Sequence, residues 1–298
     1  MTMLSIKVPN LIYSIAAMRV RAPRNQGDTT RFRRPNKLLT ATVPLGNSGM
    51  PTPSQNLTAV DIDCKVQTYG TSVVLNEQVT LFNNDPVLNW ATNLLGVSLR
   101  ETEDELVSSM LASSASAINC VAGTNGDVPT NITRSDISNV IKVLMNNDAY
   151  TIMDKVTGEN KFGTAPVRNA YFVMSSTNLT SDLDGVTGFQ NVSQYPNQQS
   201  VMRSEYGCVS GARFLVSSKG SFTASASSTG ATVYNNIFVG MDSYGILNQD
   251  GYSSQFIYRP AIFSDPLAQN ASLGYKTGMG QRILNDQWLS NLRCTITA

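Results

Sequence analysis

The chain has 298 residues, no histidine, and charged residues at only 14%, with Lys+Arg at 22 and Asp+Glu at 21. An ordinary soluble protein carries about 25% charged residues. Without histidine the chain can hold no Ser-His-Asp triad, no Cys-His dyad, no His-bearing metal site and no imidazole pH switch.

Neutral polar residues fill the gap: 27 Asn, 32 Ser and 27 Thr. Such a surface has little electrostatic protection against association. It suits a chain much of whose surface is covered by other subunits. The length fits two domains or one elaborated one. Cys64, Cys120, Cys208 and Cys294 are widely spaced, with no CxxC. They read as reduced, buried thiols of a cytosolic setting. Five Asn-x-Ser/Thr sequons, starting at Asn56, Asn131, Asn178, Asn191 and Asn270, are no more than this composition yields by chance. No apolar run reaches the roughly 20 residues of a membrane helix. The candidate at Leu11 to Met18 is short and lacks signal-peptide flanks.

In chain order, residues 1–40 hold eight basic residues against one acid, Asp28, and the rest hold 14 basic against 20 acidic. The near-neutral total conceals a basic arm on an acidic body. Leu4 to Met18 reads as a short amphipathic or extended segment broken by Pro9. Arg19 to Pro35 reads as a linker. Its basic cluster is open to three readings: a solvated tail, phosphate contact, or docking on an acidic neighbour.

Leu38 to Leu45 is strand-like and is followed by a turn cluster of Gly46, Asn47, Ser48, Gly49, Pro51 and Pro53. Val60, Ile62, Cys64 and Val66 then alternate with Asp61, Asp63, Lys65 and Gln67, the period of a strand with one covered face. Strand patterning resumes over Ser72 to Phe82. A long hairpin of this kind is unstable alone and needs another surface to lie on. Asp85-Pro86 starts a helix, with an acidic N-cap and Pro at the first helical position. Apolar residues then recur at three- and four-residue spacing to about Ala115, giving a helix of roughly 30 residues, or ~45 Å. Glu101, Glu103, Asp104 and Glu105 crowd its middle and point in different directions. They read as a solvated or inter-subunit face rather than a glycosidase pair. A second helix starts at Ser135 or Thr133 and runs through Met145. Strands follow at Ala170 to Met174, Ala212 to Ser217, Ile237 to Met241 and Gln255 to Arg259. Ser217 to Gly230 reads as a long surface loop. A short helix around Ile283 to Leu289 and a strand at Leu292 to Thr297 end the chain.

Catalytic templates fail. Gly274-Tyr275-Lys276-Thr277 lacks the glycine of a phosphate loop, Gly207 to Gly211 has the wrong spacing for a nucleophile elbow, and neither Asp61/Asp63 nor Asp182/Asp184 continues into a calcium loop. The expectation is a non-enzyme with no cofactor and no metal.

The stretches RFRRPNKLLTATVPL at 31–45, QTYGTSVVLNEQVTLFNNDPVLNWATNLLGVSLRETEDEL at 67–106 and SDPLAQNASLGYKTGMGQRILNDQWLSNLRC at 264–294, with YFVMSS, GARFLVSS and NIFVGMDSYGIL between them, resemble the major capsid proteins of tailed bacteriophages. The resemblance is strongest to the N-four-like branch. It implies an α+β fold of the Hong Kong 97 type. Residues 1–30 become the N-terminal arm and 31–75 the E-loop hairpin, which in this family lies across a neighbouring subunit. Residues 76–129 become the P domain with its long spine helix, 130–254 mainly the A domain, and 255–298 the return to the P domain. The implied role is self-assembly through pentamers and hexamers into an icosahedral shell around double-stranded DNA, assembled in the host cytoplasm and resident in the virion. Portal and scaffolding proteins are implied partners, with a cement or decoration protein as a further one, and no membrane.

On that reading the inter-subunit or DNA-facing residues are Arg19, Arg21, Arg24, Arg31, Arg33, Arg34 and Lys37 with Glu101, Glu103, Asp104 and Glu105. The E-loop tip is Gly46, Asn47, Ser48, Gly49, Met50 and Pro51. The tip carries no lysine, so the covalent E-loop cross-link of some family members is not expected. No helical scaffolding segment precedes the arm, so a separate scaffolding protein is expected. Deleting residues 1–30 is expected to harm assembly more than folding. The rival readings are an encapsulin-type nanocompartment, which shares the fold, and a β-rich phage decoration or adhesin protein.

Overall fold

The computed structural model describes residues 8–25, 27–42, 55–82, 86–113, 116–121, 128–152, 169–195, 201–224, 227, 230–250, 254–260, 267 and 269–297. The chain is α+β, as the sequence reading expected. Strand β1 (Met18–Ala22) leads to a two-stranded hairpin of β2 (Thr29–Pro35) and β3 (Ala59–Lys65), and then to the long β4 (Gln67–Asn76). A short helix α1 (Glu77–Phe82) precedes α2 (Val87–Ala112). Next come β5 (Ala117–Asn119), α3 (Arg134–Asn146), β6 (Tyr171–Ser176), α4 (Thr180–Asp184), β7 (Gln190–Asn191), β8 (Glu205–Val209), β9 (Ala212–Ser217), β10 (Phe222–Thr223) and β11 (Val233–Val239). The chain closes with β12 (Tyr244–Gln249), β13 (Gln255–Arg259), β14 (Asn270–Ile283) and β15 (Leu289–Cys294).

The larger sheet runs β5-β15-β11-β6-β9-β8-β7, with β10 also on β11. It is covered on both faces, so β6 and β11 are buried along their whole length, and the buried Ser175 hydroxyl donates to Asn236 Oδ1 at 2.7 Å. Alternate residues go to opposite cores. Tyr171, Val173, Phe214 and Phe238 meet Ile137, Val140, Ile141 and Leu144 of α3, while Phe172, Met174, Leu215, Ile237 and Val239 meet Val107 and Leu111 of α2. Thr133 caps α3 through a reciprocal box with Asp136, which settles the choice between Thr133 and Ser135.

In the second sheet β14 is the centre. It pairs with β4 along one edge and with β12 and β13 along the other, and β1 lies outside β12. Leu273 and Tyr275 of β14 pack on Ala91 and Leu95. Helix α2 therefore joins the two sheets, its first half on β14 and its last turns on β11 and β6. Its 26 residues span about 39 Å.

Several expectations need correction. Arg19 to Pro35 is not a linker, because β1 pairs in parallel with β12 and β2 pairs with β3. The outgoing hairpin strand is β2 rather than Leu38 to Leu45; residues 38–42 have no regular structure and 43–45 lie outside the described residues. Glu77–Phe82 is helical, not a continued strand. The N-cap is Pro86, so the helix begins one residue later than expected, and the Pro86 carbonyl accepts from the Trp90 N–H at 3.1 Å; Asp85 lies outside the described residues. Helix α2 ends at Ala112. The stretch from Ser217 to Gly230 is not simply a surface loop, since β10 lies in it and Ser217 and Gly220 are buried. Near the C-terminus, a 3-10 turn over Asp286–Trp288 stands where a helix was expected, and β15 begins three residues earlier than the strand read there.

Candidate assembly surface

The arm is not an independent appendage. Ile12 and Tyr13 are fully buried in the core between α2 and the larger sheet. Asp104 of α2 holds them: its carboxylate accepts from the N–H groups of Ile12 at 3.3 Å, Tyr13 at 2.9 Å and Ser14 at 3.1 Å. Three consecutive amides on one carboxylate form an anion nest. Tyr244 donates its hydroxyl to the Tyr13 carbonyl at 2.6 Å, the Ser221 N–H donates to the Tyr13 hydroxyl at 2.8 Å, and the Ser217 hydroxyl donates to the Asn10 carbonyl. Burial pushes the Asp104 carboxyl up to about 6, only partly opposed by the three amides. The same burial raises Tyr13 and Tyr244 above the ordinary tyrosine range.

The acidic segment thus divides. Asp104 is corrected from a solvated or inter-subunit residue to a buried one that binds its own chain's arm. Glu103 pairs with Arg19 at 2.8 Å and Glu101 with Lys219 at 3.6 Å, both within the chain. Glu105 is exposed. Asp104 lies three residues before Val107 and seven before Leu111, on the stripe that α2 buries. An acid on an apolar stripe was the sequence signal for this role, and the reading by local acid density passed over it.

The β2–β3 hairpin carries a charged ladder. In its antiparallel register Arg31 faces Asp63 and Arg33 faces Asp61. Both pairs are two-pronged, with Nε to Oδ1 at 2.7 Å in each and Nη2 to Oδ2 at 3.2 Å and 3.1 Å. Lys65 at the base pairs with Asp28 at 3.2 Å. The Arg33 and Arg31 guanidiniums hold Asp61 and Asp63 below the usual carboxylate range, and Lys65 does the same for Asp28. All of these groups are solvent-exposed, so the pairs set register and strand choice more than stability.

The opposite face is apolar. Phe32 and Val66 pack against the buried cluster of Ala22, Cys64 and Leu247. Phe32, Ile62, Arg34, Met18, Leu284 and Trp288 line a cavity of about 280 Å³ between hairpin and body. The hairpin base sits directly on β14 because position 280 is glycine: a Cβ there would lie 2.5 Å from the Lys65 carbonyl oxygen. Among the other basic positions, Arg24 donates to the Asp250 carbonyl at 3.3 Å, Lys37 pairs with Asp148 at 3.2 Å, and Arg21 is exposed. The tip residues Gly46 to Pro51 lie outside the described residues.

The described residues contain no group of three or more His, Cys, Asp or Glu side chains that could hold a metal ion, and no helix long and apolar enough to cross a membrane. No protein-family model matches the chain, and no curated protein matches it in sequence. Solved structures do. The capsid asymmetric unit of cyanophage Pam1 is similar over 98% of this chain and 94% of its own, with a TM-score of 0.70 and 13% identity. The capsid of Ralstonia phage GP4 is similar over 99% and 94%, with a TM-score of 0.71 and 11% identity. The chain has the phage-capsid fold, of the Hong Kong 97 type. An acid-stable capsid structure of Helicobacter pylori bacteriophage KHP30 matches over 99% and 94%, with a TM-score of 0.70 and 11% identity.

Proposed function

We propose that this protein is the major capsid protein of a tailed phage, self-assembling into the icosahedral shell that encloses double-stranded DNA. The observation that carries this reading is the fold match over nearly the whole of both chains to structures named as phage capsids. The chain's own physics agrees. Its two-stranded hairpin has few core residues of its own and leaves exposed apolar side chains, Val60 on β3, Leu57 just before it and Leu38 and Leu39 beyond β2, that a neighbour would cover. In the proposed division, residues 1–30 are the arm, 31–75 the E-loop, 76–129 and 255–298 the P domain, and 130–254 mainly the A domain.

In assembly, pentamers and hexamers form and the hairpin of one subunit lies over the next. The paired Arg31/Asp63 and Arg33/Asp61 face sets the hairpin's register without a net charge to repel its neighbour. Arg21, with the partly engaged Arg24 and Lys37, is left to meet a neighbour or packaged DNA, whereas Arg34 turns into the cavity between hairpin and body. Portal and scaffolding proteins are the further partners of this reading, and assembly takes place in the host cytoplasm.

The test is electron microscopy of the expressed protein, alone and with a candidate scaffolding protein. Closed icosahedral shells are expected. A chain that stays monomeric at high concentration under both conditions would overturn the proposal. Shells loaded with one protein cargo rather than nucleic acid in the native host would assign it to the nanocompartment class.

A further inference from the structure

Cys120 directly follows β5, and Cys294 ends β15. The parallel register pairs Ala117 with Asn291, Ile118 with Leu292 and Asn119 with Arg293. The Cys120 N–H then donates to the Arg293 carbonyl at 2.8 Å, which carries the same register one step further and sets Cys120 beside Cys294. Paired residues on neighbouring strands point to the same face, with the strands about 4.8 Å apart. A disulfide spans Cα separations of about 4.4–6.8 Å. Both side chains are fully buried in the same α3-side core, and Asn236 Nδ2 donates to Cys294 Sγ at 3.0 Å. The other two cysteines are elsewhere, Cys64 under the hairpin and Cys208 half-buried on β8.

We propose that Cys120 and Cys294 form a redox-responsive pair, a dithiol in a reducing compartment that closes to a disulfide on oxidation and staples β5 to the C-terminal strand. With hydrogen peroxide as oxidant the balance is complete. One sulfur attacks a peroxide oxygen, the O–O bond breaks, and a sulfenic acid and one water result. The second sulfur attacks the sulfenic sulfur, forming the S–S bond, and the hydroxyl leaves as water with the second thiol's proton. The two thiols give up two electrons and two protons, and peroxide becomes two waters. Contact with Cys294, and then burial, keeps the Cys120 thiol protonated far above the ordinary thiol range. Closure is therefore slow at neutral pH and faster in alkali. The staple joins positions early and late in the chain, so it restricts the unfolded state over more than half of the sequence.

The experiment treats the folded full-length chain with hydrogen peroxide at about pH 8, where thiolate is more abundant. The free thiols are then alkylated in denaturant, and the peptides are mapped without reduction. The expected result is a linked Cys120–Cys294 peptide, with both of these cysteines withheld from alkylation until reductant is added. The melting temperature should rise, and reductant should reverse the rise. Cys208, partly accessible, reports that oxidant reached the protein. The proposal is overturned if, at a dose that oxidises Cys208, both residues remain free thiols, oxidise separately to sulfinic or sulfonic acids, or link to Cys64 or Cys208 instead. Cys294→Ser should leave Cys120 alkylatable after peroxide; if that variant does not fold, the wild-type map alone decides.

Discussion

Replacing Asp104 by Asn tests the arm latch through its pH dependence. In the folded chain the carboxyl titrates at about 6, against an ordinary value of 3.8, with burial as the main cause. The folded state therefore binds the Asp104 proton more tightly than the unfolded state. The corresponding stability is fully present below the unfolded value and is lost as pH rises through about 6. The shift of roughly two units corresponds to about 3 kcal/mol in full, of which about 2 kcal/mol falls between pH 4.5 and 8. Asparagine removes this contribution because it does not ionise. It keeps one oxygen for the Tyr13 and Ser14 amides, whereas its NH₂ group confronts the Ile12 amide, a loss of about 1–3 kcal/mol at every pH. Denaturant unfolding of the unassembled subunit, wild type and variant, across that pH range gives the comparison. The wild type should lose about 2 kcal/mol more than the variant as pH rises. Parallel curves would refute the reasoning, because they would mean that Asp104 does not become buried beneath the arm on folding.

Two further outcomes follow from buried contacts. Glu205 and Arg213 form an ion pair buried at both ends, with Nε to Oε1 at 2.8 Å; the Tyr195 hydroxyl donates to the same Oε1 at 3.1 Å and the Met202 N–H to Oε2 at 3.2 Å. Arg213→Met alone should cost about 3–5 kcal/mol in chemical denaturation because it strands a buried carboxylate, and a simultaneous Glu205→Leu should recover most of that loss. Deleting residues 1–30 should leave a chain without a cooperative thermal transition by calorimetry, since it removes β1 together with Ile12 and Tyr13 from the core. This reverses the expectation drawn from the sequence, that the deletion would harm assembly more than folding.

The spacing of apolar residues in α2 and the box at Thr133 and Asp136 are local signals, because a helix selects its buried stripe and its cap within a few residues of chain. The same holds for β6, β9 and β13, whose apolar runs lie within a residue or two of where they were read. β14 was missed, although Leu273, Tyr275, Thr277 and Met279 alternate and are all buried; the intervening Gly274, Gly278 and Gly280 disguised a strand as a loop. Those glycines make sense only beside their partners. At Gly280 the hairpin base comes too close for a side chain, which no local pattern can announce.

The charges divide the same way. Composition and order alone established a chain without imidazole chemistry, poor in charge, with its basic residues gathered at the N-terminal end. Which charges are free was a tertiary matter. Arg31 and Arg33 meet Asp63 and Asp61 because strand register brings positions about 30 residues apart face to face. Asp104 meets the amides of Ile12 to Ser14 across 90 and more residues because the core that α2 closes also swallows the arm. Local physics is written in neighbouring residues, so periodicity, caps and net charge could be read directly. Pairing between distant segments depends on which surfaces fold together, and only the folded chain decided that the arm is part of the core.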